Sequence, residues 1–259
     1  MENKIIETMN IEKILCFALD IAENMLRCNA EINRVEDTVI RICKSYGDVK
    51  VDVFAIKTLI IATIRNTNAE SFTQTRRVHS SEINLEKLEE LNRLSRYICE
   101  NKPSEVEIEK KINTFRLTDF SITTKNLLGG ILGSTGFCVY FGGGARDVVA
   151  VGIIAIIVFF INKYAKRFTV NPIVYTTIIS FIIGWLAIIS VKIGIGANVD
   201  KIIIGDVMLV IPGMAMVTGF RDMLTGDILA GTIRLIDTIL ITVAITCGFA
   251  LALYTGGFM

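Results

Sequence analysis

The feature that most constrains this chain is its division into a charged half and a nearly uncharged half. Of its 53 Lys, Arg, Asp and Glu side chains, 39 lie in residues 1–125 and 14 in residues 126–259. Glycine runs the other way: Gly47 stands alone before residue 126, and nineteen follow it. The uncharged half divides into runs close to the length of about 20 apolar residues that a helix needs to cross a bilayer. Two solvents are implied, water for the first half and lipid for the second. The expected fold class is therefore a membrane α-helical protein. It has an N-terminal cytoplasmic α+β domain over residues 1–120 and a bundle of five transmembrane helices over residues 121–259.

The five runs cover about 126–145, 147–162, 168–191, 202–220 and 235–258. Arg146-Asp147 and Lys163 bound the second run and are expected at the interfaces, where long side chains snorkel. Asp206 is the only charge in the fourth run, and Asp237 lies close to the first turn of the fifth. The short loops set the orientation. Lys163, Lys166, Arg167, Arg221 and Arg234 fall on one side, against Arg146, Lys192 and Lys201 on the other. The positive-inside rule puts the larger set, and with it the N-terminus, in the cytoplasm, and the C-terminus outside. The N-terminus has no apolar run like a signal peptide, and the expected location is the plasma (inner) membrane. Gly129 and Gly133, with Ser134 and Gly136, give the first run a small-residue face suited to close packing on another helix. The odd number of runs leaves room for a partner subunit.

Composition excludes several functions. A formal net charge of +1 offers no electrostatic footprint for nucleic acid. The six cysteines form no CxxC pair and read as core or lipid-facing thiols, not as metal ligands. Walker, HExxH, GxSxG and dinucleotide signatures are all missing, and His79, the single histidine, reads as a solvated strand-end residue. No enzyme, cofactor or metal site is expected.

In the soluble half, Ile11–Leu26 sets Ile14, Leu15, Ala18, Leu19 and Ala22 on one helical face. Glu31–Tyr46 is a second amphipathic helix, with Gly47 as its stop. Three β-rich runs follow at Lys50–Ile56, Thr58–Arg65 and Ser71–Val78, with a turn at Asn66–Glu70. A helix over Asn84–Glu100 ends before Pro103, and Ser104-x-x-Glu107 forms a capping box for a last helix through Phe115. Asp37 and Arg41, spaced i,i+4, read most simply as a surface salt bridge. The alternative is that the face of Arg34, Glu36, Asp37 and Arg41 docks on the membrane half or gates its mouth.

The stretch Asp206–Gly231 reads DVMLVIPGMAMVTGFRDMLTGDILAG. Proline and glycine in mid-helix release backbone groups from the hydrogen-bond ladder. At membrane depth such groups are tolerated only against protein or a water-filled cavity. The Pro212-Gly213 break, with Asp206 before it and Arg221-Asp222 after it, is therefore a candidate substrate or ion pathway. A charge in hydrocarbon costs at least about 2.5–3.5 kcal/mol on insertion scales. Asp206 and Asp237 accordingly face a cavity or a partner, or else sit at the interfaces. Arg221 at the cytoplasmic mouth either receives a carboxylate or forms an interfacial ion pair that positions the loop.

The succession of AEINRVEDTVIRI, VDVFAIKTLIIATI, TRRVHSSEINLEKLEELNRLSRYI and an IPGxxxxxxxRDxLxGD segment is similar to the threonine/serine exporter family over nearly the whole chain. The resemblance implies the long subunit of the split, two-chain form, partnered by a small membrane subunit; a homo-oligomer stays open. It implies a secondary exporter driven by a proton or ion gradient. The substrate would be a small carboxylate: threonine and serine, or a dicarboxylate such as succinate. Carried over by motif, the residues of interest are Arg34, Glu36 and Asp37 in NRVEDT, and Asp206, Pro212, Gly213, Arg221, Asp222 and Asp227 in the fourth-run segment; Asp237 joins the pathway set. The expected mechanism is alternating access around Pro212-Gly213, with Asp206 carrying a proton or pairing with the substrate's amine. The rival is a membrane-anchored metabolite-sensing or regulatory protein without transport activity.

Overall fold

A computed structural model describes residues 11–65, 70–79, 81–117, 124–165 and 171–257. Most of the expected 66–70 turn, the loop residues Lys166 and Arg167, and the junction at residues 120–121 lie outside the described residues. The chain is mostly helical with one small antiparallel sheet, and it divides into two compact units. One comprises Met1–Phe120 with Met214–Leu235, the other Ser121–Gly213 with Ile236–Met259.

The first unit opens with α1 (Ile11–Arg27) and α2 (Ile32–Ser45), then β1 (Lys50–Ile56), β2 (Leu59–Arg65) and β3 (Ser71–Arg77), then α3 (Leu85–Asn101) and α4 (Glu105–Leu117). The sheet has the order β1-β2-β3. Its register pairs Val51 with Ile64 and Ala55 with Ile60, so period-two alternation puts these side chains on one face. That face is buried together with the apolar stripes of α1 and α2, where Leu15, Leu19, Met25, Ile32 and Ile42 are almost wholly enclosed. Each such side chain stabilises the fold by roughly 1.5–3 kcal/mol. Asp20 of α1 and Arg76 of β3 are joined by an ion pair at 3.0 Å. Asn84 caps α3 by accepting from the Lys87 N–H at 2.9 Å. Gly47 departs from the expected glycine stop, because its φ is not positive and Tyr46 ends α2 in right-handed geometry. The Glu107 carboxylate accepts from the Tyr97 hydroxyl at 2.7 Å, a tie between α3 and α4 that a capping box does not require.

The later elements are α5 (Thr124–Tyr140), α6 (Ala145–Ala165), α7 (Pro172–Lys192), α8 (Val199–Val207), α9 (Gly213–Leu224) and α10 (Ile228–Thr255). Among the described residues three helices are long and apolar enough to cross a membrane: Ala145–Tyr164, Pro172–Lys192 and Ile228–Thr255. In the second unit, α7 and the later part of α10 pack through small residues. A methyl group at Gly184 would lie 2.6 Å from the Ala252 Cβ, and one at Gly248 would lie 2.5 Å from the Thr177 carbonyl oxygen. The small-residue face of α5 at Gly129, Gly133 and Gly136 has open space around it.

Two expected spans differ in the structure. The run 202–220 is not one helix but α8 and α9, of 9 and 12 residues, and they fall in different units. Pro212 has no N–H to continue a ladder. Ahead of it, Leu209 and Val210 close tight turns onto the carbonyls of Asp206 and Val207, at 3.0 Å each. The last helix begins at Ile228 and not near Leu235, so it runs through Arg234. It tolerates that charge because the guanidinium is neutralised inside the protein.

Candidate functional site

The residues singled out by sequence fall into two places. The first is built on the α9–α10 hairpin and the start of α2, all within one unit. The α9–α10 reversal turns on Gly226, whose φ of +105° lies in the left-handed region that glycine favours. Gly219 and Gly231 let the two helices cross closely, since a methyl group at Gly231 would lie 2.6 Å from the Gly219 carbonyl oxygen. The crossing brings Asp222 against Arg234, with Oδ2 and Nε 2.9 Å apart and both side chains at most 2% exposed.

The same carboxylate serves α2. Its Oδ1 accepts from the Ile32 N–H at 3.1 Å, at the first residue of that helix. Glu31, the N-cap residue, makes no side-chain cap bond. Asp222 thus does from another helix what a capping side chain normally does from its own, at the helix end that favours negative charge. Arg234 donates from Nη2 to the Ala30 carbonyl at 2.6 Å and from Nη1 to Asn29 Oδ1. Arg221 pairs with Glu31, and Asn33 donates to the Thr225 carbonyl at 3.4 Å. Asn29 at φ +64° makes the turn that presents these groups. Burial holds the Asp222 carboxyl above its usual range, against the pull of Arg234 and the Ile32 N–H.

Glu36 and Asp227 lie beside this knot. Glu36 Oε1 accepts from the Ala55 N–H at 2.8 Å. Burial raises its carboxyl, the Ala55 N–H draws it back, and the neighbouring Asp227 raises it further. Burial likewise raises Asp227, whose Oδ2 is enclosed without a hydrogen-bond partner among the described residues. Arg34 is exposed, and Asp37 pairs with Arg41 at 2.7 Å on the surface, the plain reading of their spacing. The start of α2 meets the hairpin through Glu31, Ile32 and Asn33, and Glu36 farther along the helix neighbours Asp227.

The second place is the end of α8, in the other unit. Gly205 seats tightly there: a methyl group on it would lie 3.0 Å from both the Cys138 Cβ and the Ser134 carbonyl oxygen. The next residue, Asp206, has no exposed surface, and neither of its carboxyl oxygens has a hydrogen-bond partner among the described residues. Pro212 is partly buried, Gly213 opens α9, and Asp237 is partly buried on α10.

Sequence reasoning missed three participants. Asp147 was expected at an interface beside Arg146; it is wholly buried and accepts from Gly144, Ala197 and Asn198. Its place three residues after Gly144, at the start of a helix, was the available signal. Arg234 and Asn29 carried no local signal, because their partners are distant in sequence.

No curated protein and no solved structure shows a significant match to the chain. A family model described as "Putative threonine/serine exporter" (ThrE) matches residues 16–256, through both units and both places described above. The chain belongs to the threonine/serine exporter family.

Proposed function

We propose that this chain is the long subunit of a secondary exporter that moves small carboxylate metabolites, threonine and serine first among them, out of the cytoplasm. The observation that carries the reading is Asp206, a carboxyl group on the last turn of a short helix without exposure and, among the described residues, without a hydrogen-bond partner. A buried ionised carboxylate left unpaired costs several kcal/mol, so such a group calls for a proton or a cation at each turn of the cycle. That requirement suits coupling to a proton or ion gradient, or transient pairing with the ammonium of an amino-acid substrate.

The three long apolar helices support a membrane setting. With α5 and the broken α8–α9 segment they make the five-span arrangement, N-terminus in the cytoplasm and C-terminus outside, and discontinuous helices at membrane depth are a recurrent transporter device. Arg221, 61% exposed, is the group that receives a substrate carboxylate at the cytoplasmic mouth, exchanging Glu31 for it. Succinate offers the same carboxylate as threonine and belongs to the same substrate class. A small membrane subunit completes the pathway.

The test is gradient-driven efflux from vesicles that hold this chain and the small subunit. Asp206→Asn is expected to lower coupled export by at least about 100-fold, and Arg221→Ala to raise the half-saturating substrate concentration with a smaller loss of maximal rate. If both variants export as the parent does, the site assignment is wrong. If the parent moves neither amino acid nor dicarboxylate, the exporter reading itself fails.

A further inference from the structure

We propose that Asp147 is a positioning residue for Asp206, one that acts through the placement of α8; the proposal rests on the reading of Asp206 given above. Asp147 stands in the first turn of α6 and has no exposed surface. Its Oδ2 accepts from the Gly144 N–H at 3.1 Å and from the Asn198 side-chain amide at 3.2 Å. Its Oδ1 accepts from the Ala197 and Asn198 backbone N–H groups at 2.7 and 2.8 Å. One buried carboxylate thus holds the start of α6 and the two residues that lead into α8.

The consequence travels along α8. A helix of nine residues is a rod of about 13 Å, and a rod that short does not bend appreciably, so whatever fixes its first turn fixes its last. The last turn carries Gly205 and Asp206. Gly205 has no slack against Cys138 and Ser134, and Cys138 is itself wholly buried. Two further side chains lace the same loops: Arg146 donates to the Gly194 carbonyl, and Lys201 to the Phe141 carbonyl at 2.8 Å. Both of these contacts are exposed, and exposed contacts are the ones water and salt weaken. Asp147 is the buried member of the set.

A charge that only supported the fold would lower the yield of protein and leave the surviving molecules unchanged. A positioning residue changes the surviving molecules, and Cys138 reports on this. We take the full chain with the small subunit in vesicles, Cys138 as its sole thiol, and measure N-ethylmaleimide labelling and the pH profile of export for each variant. In the parent, Cys138 is expected to react slowly. In Asp147→Ala it is expected to react at least about ten-fold faster through local opening, with the pH midpoint of export displaced. Asn198→Ala removes one of the four contacts, so it should move both readouts the same way by less; it carries the test if Asp147→Ala does not accumulate.

Parent-like Cys138 labelling in these variants, or an unmoved pH profile alongside faster labelling, overturns the proposal. Labelling needs no export. A parent-like Asp206→Asn with accelerated Cys138 labelling in Asp147→Ala therefore sinks the assignment of Asp206 and leaves the α8 clamp standing. Unchanged labelling beside a defective Asp206→Asn sinks the positioning role alone.

Discussion

Asp206 and Asp222 are two carboxylates with no exposed surface, each on the last turn of a short helix, and their surroundings differ in kind. Asp222 faces the Arg234 guanidinium at 2.9 Å and takes the Ile32 N–H at 3.1 Å. Asp206 has a glycine beside it, packed helices around it and, among the described residues, no hydrogen-bond partner. A buried charge with its partners present is part of how the chain folds. A buried carboxyl without them works against folding, so its presence calls for another reason. The Asp222–Arg234 pair is satisfied by the fold, and the carboxyl at the end of α8 is the one that the proposed function puts to use.

The largest effect that separates the two belongs to Asp222. Asp222→Ala takes the contacting carboxylate from the buried Arg234 guanidinium and strips the cap from α2, at an expected cost of about 3–5 kcal/mol. Urea unfolding of the full chain in detergent measures it. Replacing the pair together, Asp222→Leu with Arg234→Met, should recover most of that loss, because the penalty lies in a buried charge deprived of its counter-charge. A cost below about 1 kcal/mol for Asp222→Ala would put the pair in the class of weak surface bridges and erase the contrast.

At Asp206 the sign reverses. Asp206→Leu removes a desolvated polar group that gains nothing in return, and the chain should become more stable by about 1–3 kcal/mol while coupled export is lost. The same unfolding experiment and the vesicle assay decide this together. A destabilised Asp206→Leu would mean that the carboxyl has a structural partner after all.

How much of this could be read from the residues alone follows from the range of the interactions. Period-two alternation and helical stripes are local, and β1, the helices α1, α2 and α3 and the break at Pro212 were legible for that reason. Asp206 stood out because a charge inside an apolar run is conspicuous wherever the run packs. Arg234 reads as a loop residue in the sequence because its neutraliser, Asp222, sits on another helix, and only the Gly226 reversal with the Gly219–Gly231 crossing brings the two together. Asp147 carries a local signal in its place three residues after Gly144, but its burial does not follow from that, since three of its donors come from Ala197 and Asn198, about 50 residues away. The grouping of Met214–Leu235 with Met1–Phe120 in one compact unit was beyond any reading of hydropathy, because an apolar stretch is suited to lipid and to a protein core alike.

Between the extremes lies Glu36, half-buried, with one backbone donor and with Asp227 nearby. Burial first, and Asp227 after it, keep its carboxyl above the ordinary range, so the folded chain holds this proton more tightly than the unfolded chain does. The stability that Glu36 contributes is therefore fully present below the ordinary carboxyl range and is lost as pH rises through the folded value. Glu36→Gln keeps the acceptor for the Ala55 N–H and removes the titration. Its stability relative to the parent should rise between about pH 4 and pH 7, by less than about 1 kcal/mol given the solvent screening of a half-exposed group. A difference that stays flat across that range would show that Asp227 and burial leave Glu36 untouched.

The smallest expected effect belongs to Asp37, next to Glu36 in the same NRVEDT stretch and opposite to it in circumstance. Its ion pair with Arg41 spans one helical turn in water, with side chains 72% and 54% exposed, and such a pair is weak and screened by salt. Asp37→Ala should leave the unfolding midpoint within about 1 °C of the parent. That near-silence makes it a sharp probe of the alternative in which this charged face docks or gates. If Asp37→Ala folds like the parent and exports like the parent, α2 acts through its capped start at Ile32, where Asp222 holds it. If it folds like the parent and export collapses, the exposed face has a partner that the fold does not need, and the architecture of this region extends beyond the knot at Asp222.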